Sequence, residues 1–219
     1  MRYKTCVAIA ENNPKKLATI VKNALKKSDF VEIRFDFLDP NDIPNTLELV
    51  KKQLVRCVCT LRPKSEGGQF TGSENERKSI IKLIAEYNPF LLDVEFNTLK
   101  KDQKLRQYLK KSKTVILVSW HDFKKTPNIK KLNSTLKEMR KFSNHVKIVT
   151  VAKSINDTSN ILSLYNKSSK IKLIAFAMGE EARFSRILCL HLGSPFTYVS
   201  LGKAIASGQF SLNDIKSFQ

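Results

Sequence analysis

Eight short runs rich in Val, Ile, Leu, Phe and Thr, each followed by an amphipathic stretch, succeed one another along the chain. This alternation limits the fold more than any other feature. The predicted strands are 5–10, 31–37, 55–61, 90–96, 114–120, 146–151, 171–177 and 196–201. Helix starts stand between them. Asn13-Pro14 offers an N-cap and a first-turn proline before the stripe Leu17, Ile20, Val21, Ala24 and Leu25. Ser73-x-x-Glu76 reads as a capping box ahead of Ile80, Leu83, Ile84 and Tyr87, and Thr126-Pro127 opens the stripe Ile129, Leu132, Leu136 and Met139. Weaker helical signals follow Asn41, Thr98, Ser154, Gly179 and Ser211. Strict alternation predicts a parallel sheet covered on both faces, and eight units predict closure into a (β/α)8 TIM barrel. With no linker or break in composition, residues 1–219 read as one compact barrel domain. An open doubly wound sheet is the competing arrangement.

Composition bears on partners and compartment. Lys plus Arg number 39 against 20 Asp plus Glu, a net charge of +19 that points towards anions. Lysines such as Lys15, Lys16, Lys22, Lys26 and Lys27 ride on ordinary amphipathic helices rather than on a basic patch interleaved with aromatics. A solvated surface is therefore preferred over a nucleic-acid site. The first apolar run, residues 6–10, is too short for a signal-peptide core, and no later run approaches the roughly 20 residues of a membrane span. A cytoplasmic protein with no membrane partner is expected. Cys57-x-Cys59 lies inside a strand, and Cys6 and Cys189 are remote, so the cysteines read as core rather than as metal ligands or disulfides.

In a barrel, chemistry gathers where strands end and loops begin at the C-terminal face. On the second strand Glu32, Arg34 and Asp36 alternate with Ile33, Phe35 and Phe37, putting three charges on one face, to be paired with one another or used. The third strand ends at Arg62 and runs through Glu66 into Gly67-Gly68, where backbone can approach a ligand. The fifth ends in Ser119-Trp120-His121-Asp122, a histidine at a strand terminus. The sixth carries Lys147 among Val146, Ile148 and Val149. A poorly solvated amine suits imine formation, unless the side chain snorkels out from the strand's start. Lys153 is a more exposed rival to Lys147. His145, on the same strand face as Lys147, is a rival to His121.

These segments carry a resemblance: Glu32-x-Arg34, Thr60-x-Arg62-x-x-x-Glu66-Gly67-Gly68, Asp93-x-Glu95, Ser119-x-His121-Asp122-Phe123 with Thr126-Pro127, Val146-Lys147-Ile148, Met178-Gly179 followed by Ser185-Arg186, and Gly208-Gln209. Over nearly the whole chain the sequence resembles type I 3-dehydroquinate dehydratase, a Schiff-base-forming lyase of the shikimate pathway of aromatic amino acid biosynthesis. The resemblance implies a (β/α)8 barrel, a homodimer, no cofactor or metal, and dehydration of 3-dehydroquinate to 3-dehydroshikimate. By it Lys147 attacks the C3 ketone and the imine acidifies the C2 proton. His121 takes that proton and later protonates the departing C1 hydroxyl, and Glu66 orients His121. The resemblance assigns Glu32, Arg34 and Arg62 to ring hydroxyls, Arg186 and Gln209 to the carboxylate, and Asp93 to support behind them.

Three departures bear on binding detail and leave the chemistry intact. A loop that reads Ser-Ala-Pro-Gly-Gln in the family is here Ile205-Ala206-Ser207-Gly208-Gln209, while Ala8 replaces a small polar residue and Ala182 a glycine. Two other functions compete. One is another lysine-imine barrel enzyme of the class I aldolase kind, for which no Gly-rich phosphate cradle is visible; the other is a basic RNA-binding protein in which the lysines are the function.

Overall fold

The strands of this protein are short and almost wholly buried, as a parallel sheet under helices requires. A computed structural model of the chain describes residues 3–167, 170–202, 204 and 206–218. Eight strands, β1 (Thr5–Ile9), β2 (Phe30–Arg34), β3 (Cys57–Thr60), β4 (Leu91–Glu95), β5 (Ile116–Asp122), β6 (His145–Val151), β7 (Lys172–Met178) and β8 (Thr197–Val199), form one sheet in the order β7-β6-β5-β4-β3-β2-β1-β8. Between and after them lie helices α1 (Pro14–Leu25), α2 (Ile43–Val50), α3 (Glu74–Glu86), α4 (Phe96–Lys101), α5 (Gln103–Lys111), α6 (Ile129–Met139), α7 (Ile155–Leu162), α8 (Ser185–His191) and α9 (Leu212–Ser217). All eight strand runs are strands, and the fold is the (β/α)8 TIM barrel that their alternation predicts. No helix among the described residues is long and apolar enough to cross a membrane. Two compact units can be described, Val7–Ile116 and Met1–Cys6 with Leu117–Gln219.

In the unit Val7–Ile116, β2, β3 and β4 run parallel, with Arg34 opposite Thr60 and Thr60 opposite Asp93. The period of two then puts Glu32, Arg34, Thr60 and Asp93 on one face, and Ile33, Cys59 and Leu92 on the other, all three fully buried. α1 starts as its sequence dictates, the Asn13 side chain accepting the Lys16 N–H at 3.0 Å. It buries Leu17, Ala18, Val21 and Ala24, with Ile20 and Leu25 at the margin. α3 is capped by Ser73, which accepts the Glu76 N–H at 3.1 Å, and it carries a charged residue, Arg77, on the same inner face as Ile81 and Ile84.

Several strands are shorter than their sequence pattern: β3 starts only at Cys57, after a 3-10 turn over Lys51–Arg56, and β8 is confined to Thr197–Val199. β2 stops at Arg34, and Phe35–Phe37 wind into a 3-10 turn, so Asp36 is not a third charge on a strand face. Its carboxylate accepts Arg34 Nε at 2.8 Å, Arg34 Nη2 at 2.7 Å and the Gln69 N–H at 2.9 Å. The buried acid is thus paired with its own neighbour within the turn.

In the other unit β5, β6 and β7 are parallel and in register, with Ser119 opposite Lys147, Lys147 opposite Ile174, His121 opposite Val149 and Val149 opposite Phe176. α6 is capped by Asn128, which accepts the Lys131 N–H at 2.9 Å, rather than by Thr126. Thr126 is buried instead. Its hydroxyl shares a 2.7 Å bond with that of Thr150 and donates to the Val151 carbonyl at 3.0 Å, tying the loop to β6. A fully reciprocal capping box forms at Ser211 and Asp214, at the start of α9.

Candidate active site

The residues singled out in the sequence fall into two sets, one on each unit. On Val7–Ile116 the set is a layer of alternating charges at and beyond the C-terminal ends of β2, β3 and β4. Glu32 is buried and accepts the Thr60 hydroxyl at 2.9 Å. Arg62 lies two residues past β3, with Nη2 2.7 Å from Asp93 Oδ2 and Nη1 2.8 Å from Glu95 Oε1. Burial alone would make this guanidinium easier to discharge, but Asp93 and Glu95 hold it above the usual arginine range. Glu95 is gripped in turn by Arg77 at 2.6 Å.

Glu66 sits at the end of a 3-10 turn, Lys64–Glu66, and is 9% exposed. Burial first, and the nearby charge of Glu95 second, push its carboxyl up to about 7 against the pull of Arg62. Asn97 Nδ2 stands 3.5 Å from its Oε1. A carboxyl balanced near neutrality can both hold and release a proton at ordinary pH. The glycines after it have a structural task. Gly67 adopts φ 76° to end the turn, and a Cβ on Gly68 would stand 2.0 Å from the Arg62 carbonyl oxygen. Gly68 thus packs directly against the chain's own backbone just past β3.

The second set lies on β5, β6, α8 and the loop before α9. Lys147 is the third residue of β6 and 7% exposed, so it stands within the strand and does not snorkel from its start. Its Nζ lies 4.2 Å from the centre of the Tyr198 ring, a cation–π contact. Its register partner is Ser119, and His121 lies on the same face one pair further towards the C-terminal ends. The His121 ring is stacked on Phe123 at 5.8 Å. His145 begins β6, opposite Leu117 and Lys172, on the far side of Lys147 from His121. Burial, then the Lys172 charge, holds its imidazole below the usual histidine range. Lys153 is exposed.

Arg186, in the first turn of α8, is 2% exposed. Its Nη2 donates to the Ser207 carbonyl at 3.0 Å and its guanidinium lies 4.3 Å over the Phe176 ring, while Nε is buried with no partner among the described residues. Burial lowers its pKa to about 10, which still leaves it cationic at neutral pH. A buried cation with an open donor is a site for an anion. Gln209, also buried, follows Gly208, whose φ of 67° and contact with the Gly179 carbonyl leave no room for a side chain. Of the positions that depart from the family pattern, Ser207 serves Arg186 through its carbonyl, Ala8 is half-buried in β1, and Ala182 is fully buried; Ile205 lies outside the described residues.

Three contributors were missed from the sequence. Arg77 was hidden in a helix that reads as amphipathic, though its place four residues after the Ser73 cap aligns it with the buried stripe. Tyr198 and Asn97 carry no motif of their own. Among the described residues no group of His, Cys, Asp and Glu is arranged to hold a metal ion.

A family model described as type I 3-dehydroquinase matches residues 5–218. The chain is 37% identical over 215 residues to a 3-dehydroquinate dehydratase of Methanococcus maripaludis, covering 96% of each chain. It is 40% identical over 194 residues to one from Dehalococcoides mccartyi, covering 86% of this chain and 85% of the relative. The crystal structure of 3-dehydroquinate dehydratase from Geobacillus kaustophilus matches with a TM-score of 0.89 at 22% identity, over 99% of this chain and 90% of that one, a likeness of fold.

Proposed function

The chain belongs to the type I 3-dehydroquinase family, and from that premise we propose that it dehydrates 3-dehydroquinate through an imine on Lys147. It is an enzyme, a 3-dehydroquinate dehydratase of the shikimate pathway. The observation that carries the covalent reading is a lysine buried within a strand, with a histidine one pair further along the same sheet face.

The steps follow from these groups. The Lys147 amine adds to the C3 ketone and the ketone oxygen leaves as water, giving a protonated imine. His121 removes the C2 proton, and the electron pair is drawn into the imine to form an enamine. The enamine pushes out the C1 hydroxyl, which leaves as water with the proton returned by His121. Hydrolysis of the imine releases 3-dehydroshikimate and restores Lys147, so the net change is loss of one water. The imine is the electron sink, and the scheme calls on no cofactor or metal.

Glu66, buried and balanced near neutrality, is assigned to orient His121. Arg186, with its buried open donor, receives the substrate carboxylate with Gln209. Glu32, Arg34 and Arg62 bind ring hydroxyls, with Asp93 holding Arg62. Residues 1–219 act as a single catalytic domain, as a cytoplasmic homodimer. The test is intact mass and peptide mapping after incubation with 3-dehydroquinate and borohydride. An adduct on Lys147 supports the reading, whereas no adduct, with no absorbance from the enone product, overturns it.

A further inference from the structure

Arg77 uses every donor it has. Nε and Nη2 donate to the two Glu74 oxygens at 2.8 and 2.9 Å, and Nη2 also donates to the Thr98 hydroxyl at 2.6 Å. Nη1 donates to Glu95 Oε2 at 2.6 Å and to the Leu61 carbonyl at 3.3 Å. A guanidinium offers five N–H groups in a fixed plane, and here five contacts engage them. Four separate segments are joined at this one side chain: the end of β3, the end of β4, the start of α4 and the first turn of α3. Arg77 is 1% exposed, and its bonds to Glu95 and the Leu61 carbonyl are buried, whereas Glu74 grips it from a half-exposed position.

Two of the five contacts converge on Arg62. The Leu61 carbonyl belongs to the peptide that leads into Arg62, and Glu95 gives its other oxygen, Oε1, to Arg62 Nη1 at 2.8 Å. The plane of Arg62 is therefore set by Asp93 and Glu95, and the plane of Glu95 by Arg77. Left with Arg62 alone, the Glu95 carboxylate would be free to swing about its terminal torsion, which is soft, and would carry the Arg62 fork with it.

We propose that Arg77 is a positioning residue for the dehydratase, acting through Glu95 and the Leu61 carbonyl to aim the Arg62 guanidinium at substrate. This rests on the reading above that Arg62 binds a ring hydroxyl. It places part of the binding machinery one side chain behind the site, on a helix whose surface pattern conceals it. Lysine cannot replace it, because three donors on a point charge cannot reproduce the fork.

The test compares wild type, Arg77→Lys and Glu74→Gln by circular dichroism, thermal melting and steady-state kinetics with 3-dehydroquinate. For Arg77→Lys a native spectrum is expected, with KM raised about tenfold, the size of one charge-assisted hydrogen bond, and kcat much less affected. Glu74→Gln loosens only the outer grip on Arg77 and is expected to raise KM by a smaller factor. A lowered melting temperature with unchanged KM in Arg77→Lys would mean that Arg77 is only a structural tie, and would overturn the proposal. If Arg77→Lys does not fold, Glu74→Gln decides, a raised KM supporting the proposal and an unchanged KM overturning it. Failure of the wild type to turn over 3-dehydroquinate would instead strike the functional reading itself.

Discussion

Lys147 and His121 share one face of adjacent strands but are offset by one pair, the partner of Lys147 being Ser119 and that of His121 being Val149. The offset puts the histidine nearer the C-terminal ends of the strands, where barrel chemistry is done. His145 has the mirror offset, towards the N-terminal ends.

The two histidines should therefore behave differently. His121→Ala is expected to lower kcat by about 10²- to 10⁴-fold, the usual contribution of a general acid–base residue. His145→Ala is expected to leave kcat nearly unchanged. Turnover followed by enone absorbance decides; a greater loss at 145 would move the base from β5 to the N-terminal end of β6.

Lys147→Met should separate chemistry from stability. The variant is expected to form no borohydride-dependent adduct and to show no measurable turnover. Its melting temperature should stay close to that of wild type, because an apolar chain of similar length fills the same buried space. A variant that retained turnover would sink the imine.

Glu66 gives stability a pH dependence of definite sign. Its carboxyl is raised from 4.5 to about 7, so the folded chain keeps a proton that the unfolded chain gives up between those values. The stabilisation is complete below the unfolded pKa and is lost as pH rises through the folded one. Its size is roughly 3 kcal/mol for a group this deeply buried. Urea unfolding at about pH 5 and about pH 8 should show the loss in wild type and its absence in Glu66→Gln, which cannot ionise. Parallel behaviour of the two proteins would show that Glu66 titrates as an ordinary carboxylate.

Arg186 is expected to trade stability for binding. Removing a buried cation with an open Nε should leave Arg186→Met as stable as wild type or more so. Losing the partner of the substrate carboxylate should raise KM by about 10²-fold. Melting curves and kinetics on the same preparation check both halves, and a normal KM would remove Arg186 from the site.

Much of this was legible because it follows from periodicity. Alternation of strand and helix is a local property, and so are the Asn13 cap and the placement of Lys147 inside an apolar strand. What stayed hidden depends on partners distant in sequence. Asp36 looked like a strand residue because a period of two cannot register that Arg34 and the Gln69 amide pull its carboxylate out of line. Thr126 looked like a cap because its hydroxyl's true partners, Thr150 and Val151, lie a strand away. Arg77 carries no local signal of its role, since its buried acceptors Glu95, Leu61 and Thr98 come from three other segments.

The four cysteines, Cys6, Cys57, Cys59 and Cys189, are all free and all buried. Burial pushes the thiols of Cys57 and Cys189 up to about 12, and Cys59 also far above its usual value. Because only thiolate reacts with alkylating reagents, the native chain is armoured against them. Each labelled sulfur thus counts an opening of the strand or helix that covers it, and the protein carries its own clock for local unfolding.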